Sequence, residues 1–235
     1  MIRVIEPEIL DDLSPEDPLA RGSRRDLRRL NSWMGNVRIM VRALQNEFPK
    51  HPPATLIELG AGDGFFLSAI SAQMGDASSG VDAKLLDRKN TVDERAKLGM
   101  ERNGWMVAAI ESDVFDWLNL PSNRVVDVMI ANLFLHHFSA VQLSELLAGI
   151  AGRTNRFICI EPRRNNLGFW SSRMVGLIGC NKVTRHDAPV SVKAGFRANE
   201  LSALWPDRGG WILEERTAGW CSHLFVARRR SEKAN

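Results

Sequence analysis

The residues best suited to chemistry fall in one short run, IELGAGDGFFL, from Ile57 to Leu67. Gly60, Gly62 and Gly64 alternate there, Ala61 sits between the first two, and Glu58 precedes the first glycine by two positions. The run follows a short apolar strand, TLIEL, and leads into a helical pattern from Phe65 to Met74. Glycines at such a junction let the chain turn sharply and let a ligand approach the backbone, because a Cβ would block one or the other. A dinucleotide loop of the form GxGxxG places a pyrophosphate on the helix N-terminus. Here the third glycine comes one residue too early for that form. The acid at Glu58 suits a ligand with a cationic end better than a diphosphate. A plain strand-to-helix turn is the bland alternative.

This segment resembles motif I of the class I S-adenosylmethionine-dependent methyltransferases. The likeness runs from about residue 54 to the end, sharp at motif I and weaker beyond it. It implies a Rossmann-like doubly wound α/β sheet, mostly parallel with an antiparallel C-terminal strand. It implies S-adenosyl-L-methionine as the cofactor, held at Glu58, Gly60, Ala61, Gly62 and Gly64. The second strand ends at Asp87, where the family's acid accepts from both ribose hydroxyls, since a carboxylate has two acceptor oxygens. Asp87 lies 27 residues after Gly60, longer than the roughly 20 usual for a ribose acid. A stretch around Gly75 to Ser79 accounts for the excess, and Asp82 is the rival. After the third strand, in ESDVFDW, the resemblance gives Asp113 to the adenine amino group and the Val114 amide to a ring nitrogen, with Asp116 as a cap. Asn132 and Leu133 would lie beside the methionine part of the cofactor.

The fourth strand runs into ANLFLHHFS, which puts His136 and His137 at the carboxyl ends of the strands. An imidazole with an ordinary pKa near 6.5 can take a proton from a hydroxyl nucleophile, so these two are the catalytic candidates, with helix packing or capping as the alternative. Base- and glutamine-directed amino methyltransferases usually carry Asn/Asp-Pro-Pro-aromatic where this chain has ANLF. For the acceptor, the candidates are Arg163 in EPRRNNLGFW, Arg185 and His186 in TRHDAPVSVKAGF, and Trp33. The Thr184 to Phe196 stretch shows few helix signals and reads as a loop. Its similarity to bacterial methyltransferases of polyketide, quinone or isoprenoid-like compounds suggests a small-molecule acceptor for O- or C-methylation. A catalytically silent cofactor-binding partner or regulatory subunit is the alternative, followed by RNA or protein methylation.

The elements that must position these residues alternate. Strand patterns at Gly80–Asp87, Trp105–Ile110, Val125–Asn132 and Arg156–Pro162 are separated by helical ones at Val92–Glu101 and Ala140–Ala151, which argues for a doubly wound sheet. Phe169 to Ile178 and Asn199 to Leu204 look helical, and Trp211–Arg216 with Ser222–Ala227 look like a terminal pair of strands. Upstream, Leu27, Leu30, Met34, Val37, Val41 and Leu44 share one face of a helix from about Arg24 to Phe48. Residues 1–53 are therefore expected to form a helical lid, and 54–235 the cofactor-binding domain. The acidic, proline-containing Glu6 to Asp17 reads as a loop or short helix.

Composition sets the remaining bounds. The 235 residues carry 44% hydrophobic and 25% charged side chains and a net charge of +3, ordinary for a globular protein and too weakly basic to argue for nucleic acid. Cys159, Cys180 and Cys221 have no metal spacing and read as reduced thiols, and no metal site is implied. No apolar run approaches the roughly 20 residues needed to span a bilayer, and MIRVIEPEIL does not read as a signal peptide. The expectation is a cytoplasmic protein. Arginines clustered from Arg21 to Arg29 and from Arg228 to Arg230 read as a solvated helix face and a basic tail, with a peripheral membrane contact or an anionic acceptor as the alternative. The oligomeric state is not legible.

Overall fold

A computed structural model describes residues 1–121 and 124–230. The last five residues of the expected 54–235 domain lie outside the described residues. Strands β1 (Thr55–Leu59), β2 (Asp82–Asp87), β3 (Met106–Glu111), β4 (Val128–Asn132), β5 (Arg156–Pro162), β6 (Trp211–Ala218) and β7 (Ser222–Arg229) form one sheet in the order β3-β2-β1-β4-β5-β7-β6. The first five strands run parallel, and β7 enters antiparallel between β5 and β6. The central strands are nearly all apolar because both faces are covered. In β1, Ile57 and Leu59 join one core cluster, and Leu56 joins the other.

Helices α1 (Ile9–Asp12), α2 (Pro18–Met34) and α3 (Asn36–Glu47) precede the sheet. Between the strands come α4 (Phe65–Met74), α5 (Glu94–Arg102), α6 (Val114–Asn119) and α7 (Ala140–Arg153). After β5 follow α8 (Asn166–Arg173), α9 (Lys182–Ala194) and α10 (Glu200–Leu204). Met40, Val41 and Leu44 of α3 are buried in the core cluster that also holds Ile70 and Ile158. The helix expected from Arg24 to Phe48 is broken at Gly35, which adopts φ 72 and caps α2 with its N–H on the Asn31 and Ser32 carbonyls. The apolar periodicity continues across the break, so the pattern alone does not reveal it.

The expected loop from Thr184 to Phe196 is instead mostly helix α9. Asn181 caps it by accepting from the Thr184 N–H, and Val183, Val190 and Ala194 are buried. Pro189 inside the helix is the residue that masks the pattern, since proline removes a backbone donor and argues against a helix interior. Packing against α1, α2 and α8 outweighs that local cost.

The glycine turn is built as the alternation demands. Gly60, Gly62 and Gly64 all have positive φ, at 67, 54 and 75. The Gly60 and Ala61 N–H groups both donate to the Leu86 carbonyl, and the Gly62 N–H donates to Asp87 Oδ2 at 2.8 Å. A Cβ on Gly60 would collide with the Phe134 ring, whereas one on Gly62 would meet nothing within 4 Å. Left-handed backbone costs an L-residue roughly 1–2 kcal/mol, and overpacking adds roughly 1–3 kcal/mol. Chemical denaturation of Gly62→Ala should therefore show a loss of about 1 kcal/mol and Gly60→Ala about 3 kcal/mol. Equal losses would contradict the close approach of Phe134.

Candidate active site

A cavity of about 500 Å³ opens over the carboxyl ends of the parallel strands. This is where ligands bind in open α/β sheets, at the point where strand order reverses, here between β1 and β4. Gly60, Asp87, Asp113, Val114 and Leu133 line it from the strand ends. Leu27, Leu30, Trp33 and Met34 of α2 cover it, and α8 and α9 wall the far side through Gly168, Ser171, Ser172, Ser191 and Val192.

Glu58, Asp63 and Asp87 lie at the glycine turn, and Asp113 lines the cavity beside Asp87. Asp87 uses Oδ2 for the Gly62 N–H and Oδ1 for the Lys89 N–H at 2.9 Å. Each oxygen keeps a further acceptor position for a ligand hydroxyl. Asp113, not Asp116, caps α6, with Oδ1 accepting from the Phe115 N–H at 2.8 Å. Glu58 is 2% exposed, and its Oε2 has no hydrogen-bond partner. Burial, and then the neighbouring Asp63 and Asp87 charges, push its carboxyl pKa well up. A buried acceptor left unpaired costs stability, and a cationic ligand group nearby would relieve both conditions. The residues therefore fit S-adenosylmethionine, a cation without phosphate, better than they fit a pyrophosphate.

Asn132 does not line the cavity. Its side chain joins Asn31 and Asn36 at 3.1 and 3.0 Å and so anchors the junction of α2 and α3. Leu133 does line it, in a left-handed conformation at φ 54, with its N–H on the Ile160 carbonyl. Gly62, Gly64, Ala61 and Glu58 sit in or beneath the turn and are not among the cavity walls.

The two histidines occupy different environments. Glu161, fully buried at the end of β5, accepts from the Phe134, Leu135 and His136 N–H groups and from His136 Nδ1 at 2.8 Å. His136 Nε2 faces Glu8 Oε1 at 3.3 Å. Burial alone would lower the His136 pKa, but hydrogen bonds to Glu161 and Glu8 and their charges raise it to about 9. His136 is thus an imidazolium with both nitrogens engaged, which ties the N-terminal segment to the sheet and has no lone pair to offer. Arg3 reinforces the tie by donating to the His136 and Phe138 carbonyls and lying over the Phe196 ring.

His137 is one-quarter exposed, lines the cavity, and holds Asp11 Oδ2 at 3.3 Å through Nδ1. A carboxylate on Nδ1 leaves Nε2 as the nitrogen for a substrate proton. Burial alone would raise the Asp11 pKa, but the His137 hydrogen bond and charge bring it down. Glu8, His136 and His137 also offer metal-ligating atoms within 4.8 Å of one another. The ionised His136 already balances Glu8, and a cation would have to displace its proton.

Of the acceptor candidates, Trp33 lines the cavity. Arg163, Arg185 and His186 do not: Arg163 lies at the bridge to Phe196, Arg185 lies against Gly176, and His186 pairs with Asp187 at 2.9 Å. The sequence reading did not single out Glu8, Asp11 or Glu161. Their one signal is the presence of acids in the N-terminal stretch and at the end of β5 together with a histidine pair that needs counter-charges.

The latch has a defined pH window. The raised His136 pKa contributes stability that is complete below the unfolded value of 6.5 and lost as pH rises through about 9. The Glu8 carboxyl, which burial would raise but His136 lowers, contributes stability present above its ordinary 4.5 and lost as pH falls below it. Glu8→Gln should cost about 1–2 kcal/mol near pH 6, with the melting difference from wild type narrowing by pH 10. A pH-independent difference would contradict the ionic latch.

No protein-family model matches the chain, and no curated protein matches it. Solved structures do. An O-methyltransferase family protein from Burkholderia thailandensis superposes with TM-score 0.59 at 18% identity, covering 94% of this chain and 64% of that one. Human N-acetylserotonin methyltransferase in complex with SAM gives 0.57 at 16% identity, covering 93% and 61%. Magnesium protoporphyrin IX methyltransferase from Synechocystis with bound SAH gives 0.54 at 13% identity, covering 94% and 91%. The chain thus spans under two thirds of the Burkholderia and human chains. At these identities the likeness is one of fold, and the fold is the Rossmann-like α/β fold of S-adenosylmethionine-dependent methyltransferases.

Proposed function

We propose that the chain is an S-adenosylmethionine-dependent methyltransferase acting on the hydroxyl of a small acceptor with an apolar body. The observation that carries this reading is one cavity lined both by Gly60, Asp87 and Asp113 and by the Asp11–His137 pair. When bound, the cofactor supplies an activated methyl group. Asp87 and Asp113 would hold its ribose and adenine, and Glu58, buried beneath the glycine turn, would ionise more readily beside its positive charge. On the acceptor side, His137 Nε2 takes the hydroxyl proton, with Asp11 fixing the tautomer and stabilising the imidazolium that forms. His136 acts as a positioning residue: it holds the turn that carries His137 and ties down the segment that carries Asp11. Leu27, Leu30, Trp33 and Met34 exclude water and supply apolar contact for the acceptor. Excluding water and fixing geometry account for much of such catalysis.

The test is methyl incorporation into a panel of phenols and quinols, read by mass spectrometry. A methylated acceptor is expected, with activity unaffected by a chelator. Tight S-adenosylhomocysteine binding without turnover on any acceptor would favour the silent binding partner instead. His137→Gln should lower kcat by about 10²-fold while leaving the affinity for S-adenosylmethionine within about twofold. Asp87→Ala should weaken that affinity more than about tenfold, since one carboxylate receiving two hydroxyls is worth roughly 1.5–3 kcal/mol. An unchanged affinity would move the ribose contact to another acid.

A further inference from the structure

Helix α8 and the turn that follows it are inverted relative to an ordinary surface helix. Their inward face is Gly168, Ser172 and Val175, all buried. Their outward face carries Leu167, Trp170, Met174, Leu177 and Ile178, spaced three and four residues apart along one stripe, with Trp170 64% and Leu177 79% exposed. A surface helix normally turns its apolar stripe to the core, and contiguous exposed apolar patches mark interaction sites.

The stripe continues across neighbouring elements. Arg29 donates to the Ile178 carbonyl at 2.9 Å, bringing the exposed face of α2 alongside. That face reads Arg25, Arg29, Trp33 at intervals of four, and Trp33 is 70% exposed. Trp220, 80% exposed in the β6–β7 turn, adjoins Gly219, whose side-chain position lies 3.8 Å from the Met34 carbonyl. The stretch that carries this apolar surface is basic. From Pro162 to His186 the chain holds no Asp or Glu, and Arg163, Arg173, Lys182 and Arg185 lie outside the core, whereas Arg164 is buried against Glu200; Arg173 lies over the Phe169 and Trp170 rings. Trp33, Ser171, Val175 and Cys221 of these same elements line the cavity from within.

We propose that this face docks on the surface of an anionic lipid bilayer. Tryptophans favour the headgroup level, where an apolar ring and a polar N–H are both satisfied. Apolar side chains interleaved with cations bind anionic interfaces by burial and charge together. The rim of the cavity thereby meets the membrane. If the reading of the cavity as an acceptor site holds, this gives a lipid-dissolved acceptor a direct way in. The docking itself does not depend on that reading.

Flotation of the full chain with vesicles tests it, without cofactor or acceptor. Binding is expected to vesicles of 7:3 phosphatidylcholine and phosphatidylglycerol. It should fall in 1 M NaCl and with phosphatidylcholine alone, and should drop at least tenfold in Trp170→Ser/Leu177→Ser. In a second measurement on the unmutated chain, brominated lipid in the anionic vesicles should quench tryptophan fluorescence. Absence of flotation with anionic vesicles, absence of quenching, or flotation undiminished in the folded double variant would each overturn the proposal. So would a lipid-free dimer, seen by sedimentation, that the same double substitution dissociates, because a second copy would then be the occupant of this face.

Discussion

The site depends on one buried charge. Glu161 sits at the end of β5 with no exposure to water, and a carboxylate there must be matched by donors or lose its charge. The match comes from three consecutive backbone N–H groups and one imidazole. That arrangement fixes the path from Phe134 to His136, and much else follows from it. Phe134 is set against Gly60, so the residue closing the cavity floor and the glycine of the turn determine each other. The engaged His136 then reaches Glu8, and His137, its ring tilted beside it at 4.2 Å between centroids, reaches Asp11.

The N-terminal segment is in this way part of the site. Arg3, Glu8 and Asp11 contact residues more than a hundred positions away, and Asp187 of α9 accepts from the Ile9 and Leu10 N–H groups. Ion pairs buried with their full set of hydrogen bonds contribute specificity of arrangement more dependably than stability. Here they determine which of the two cavity-lining histidines has both ring nitrogens engaged and which has only one. The sheet contributes the switch point, and the wrapped segment contributes the partners that make the switch point chemically distinct.

The sequence made the local part legible. The glycine alternation, the acid at the end of β2, the apolar strands and the terminal antiparallel pair follow from neighbours in the chain. The Arg156–Pro162 strand matches residue for residue. What escaped was set by distance. Nothing near His136 in sequence reveals that Glu8 and Glu161 hold both its nitrogens, so the two histidines looked equivalent. Arg185 and His186 looked like pocket residues only while their segment read as a loop. Once α9 forms, its periodicity turns Ala188, Ser191 and Val192 to the cavity instead. Gly35 was visible, but an uninterrupted apolar stripe hid its role as a helix stop.

The most direct test of the account is a calorimetric titration of the purified chain with S-adenosylhomocysteine, with NAD as the comparison ligand and Gly62→Arg as the blocked form. Micromolar binding of S-adenosylhomocysteine, absent for NAD and lost in Gly62→Arg, is the predicted result. Binding of NAD alone would contradict the account, because the glycine turn would then hold a pyrophosphate rather than an S-adenosyl ligand.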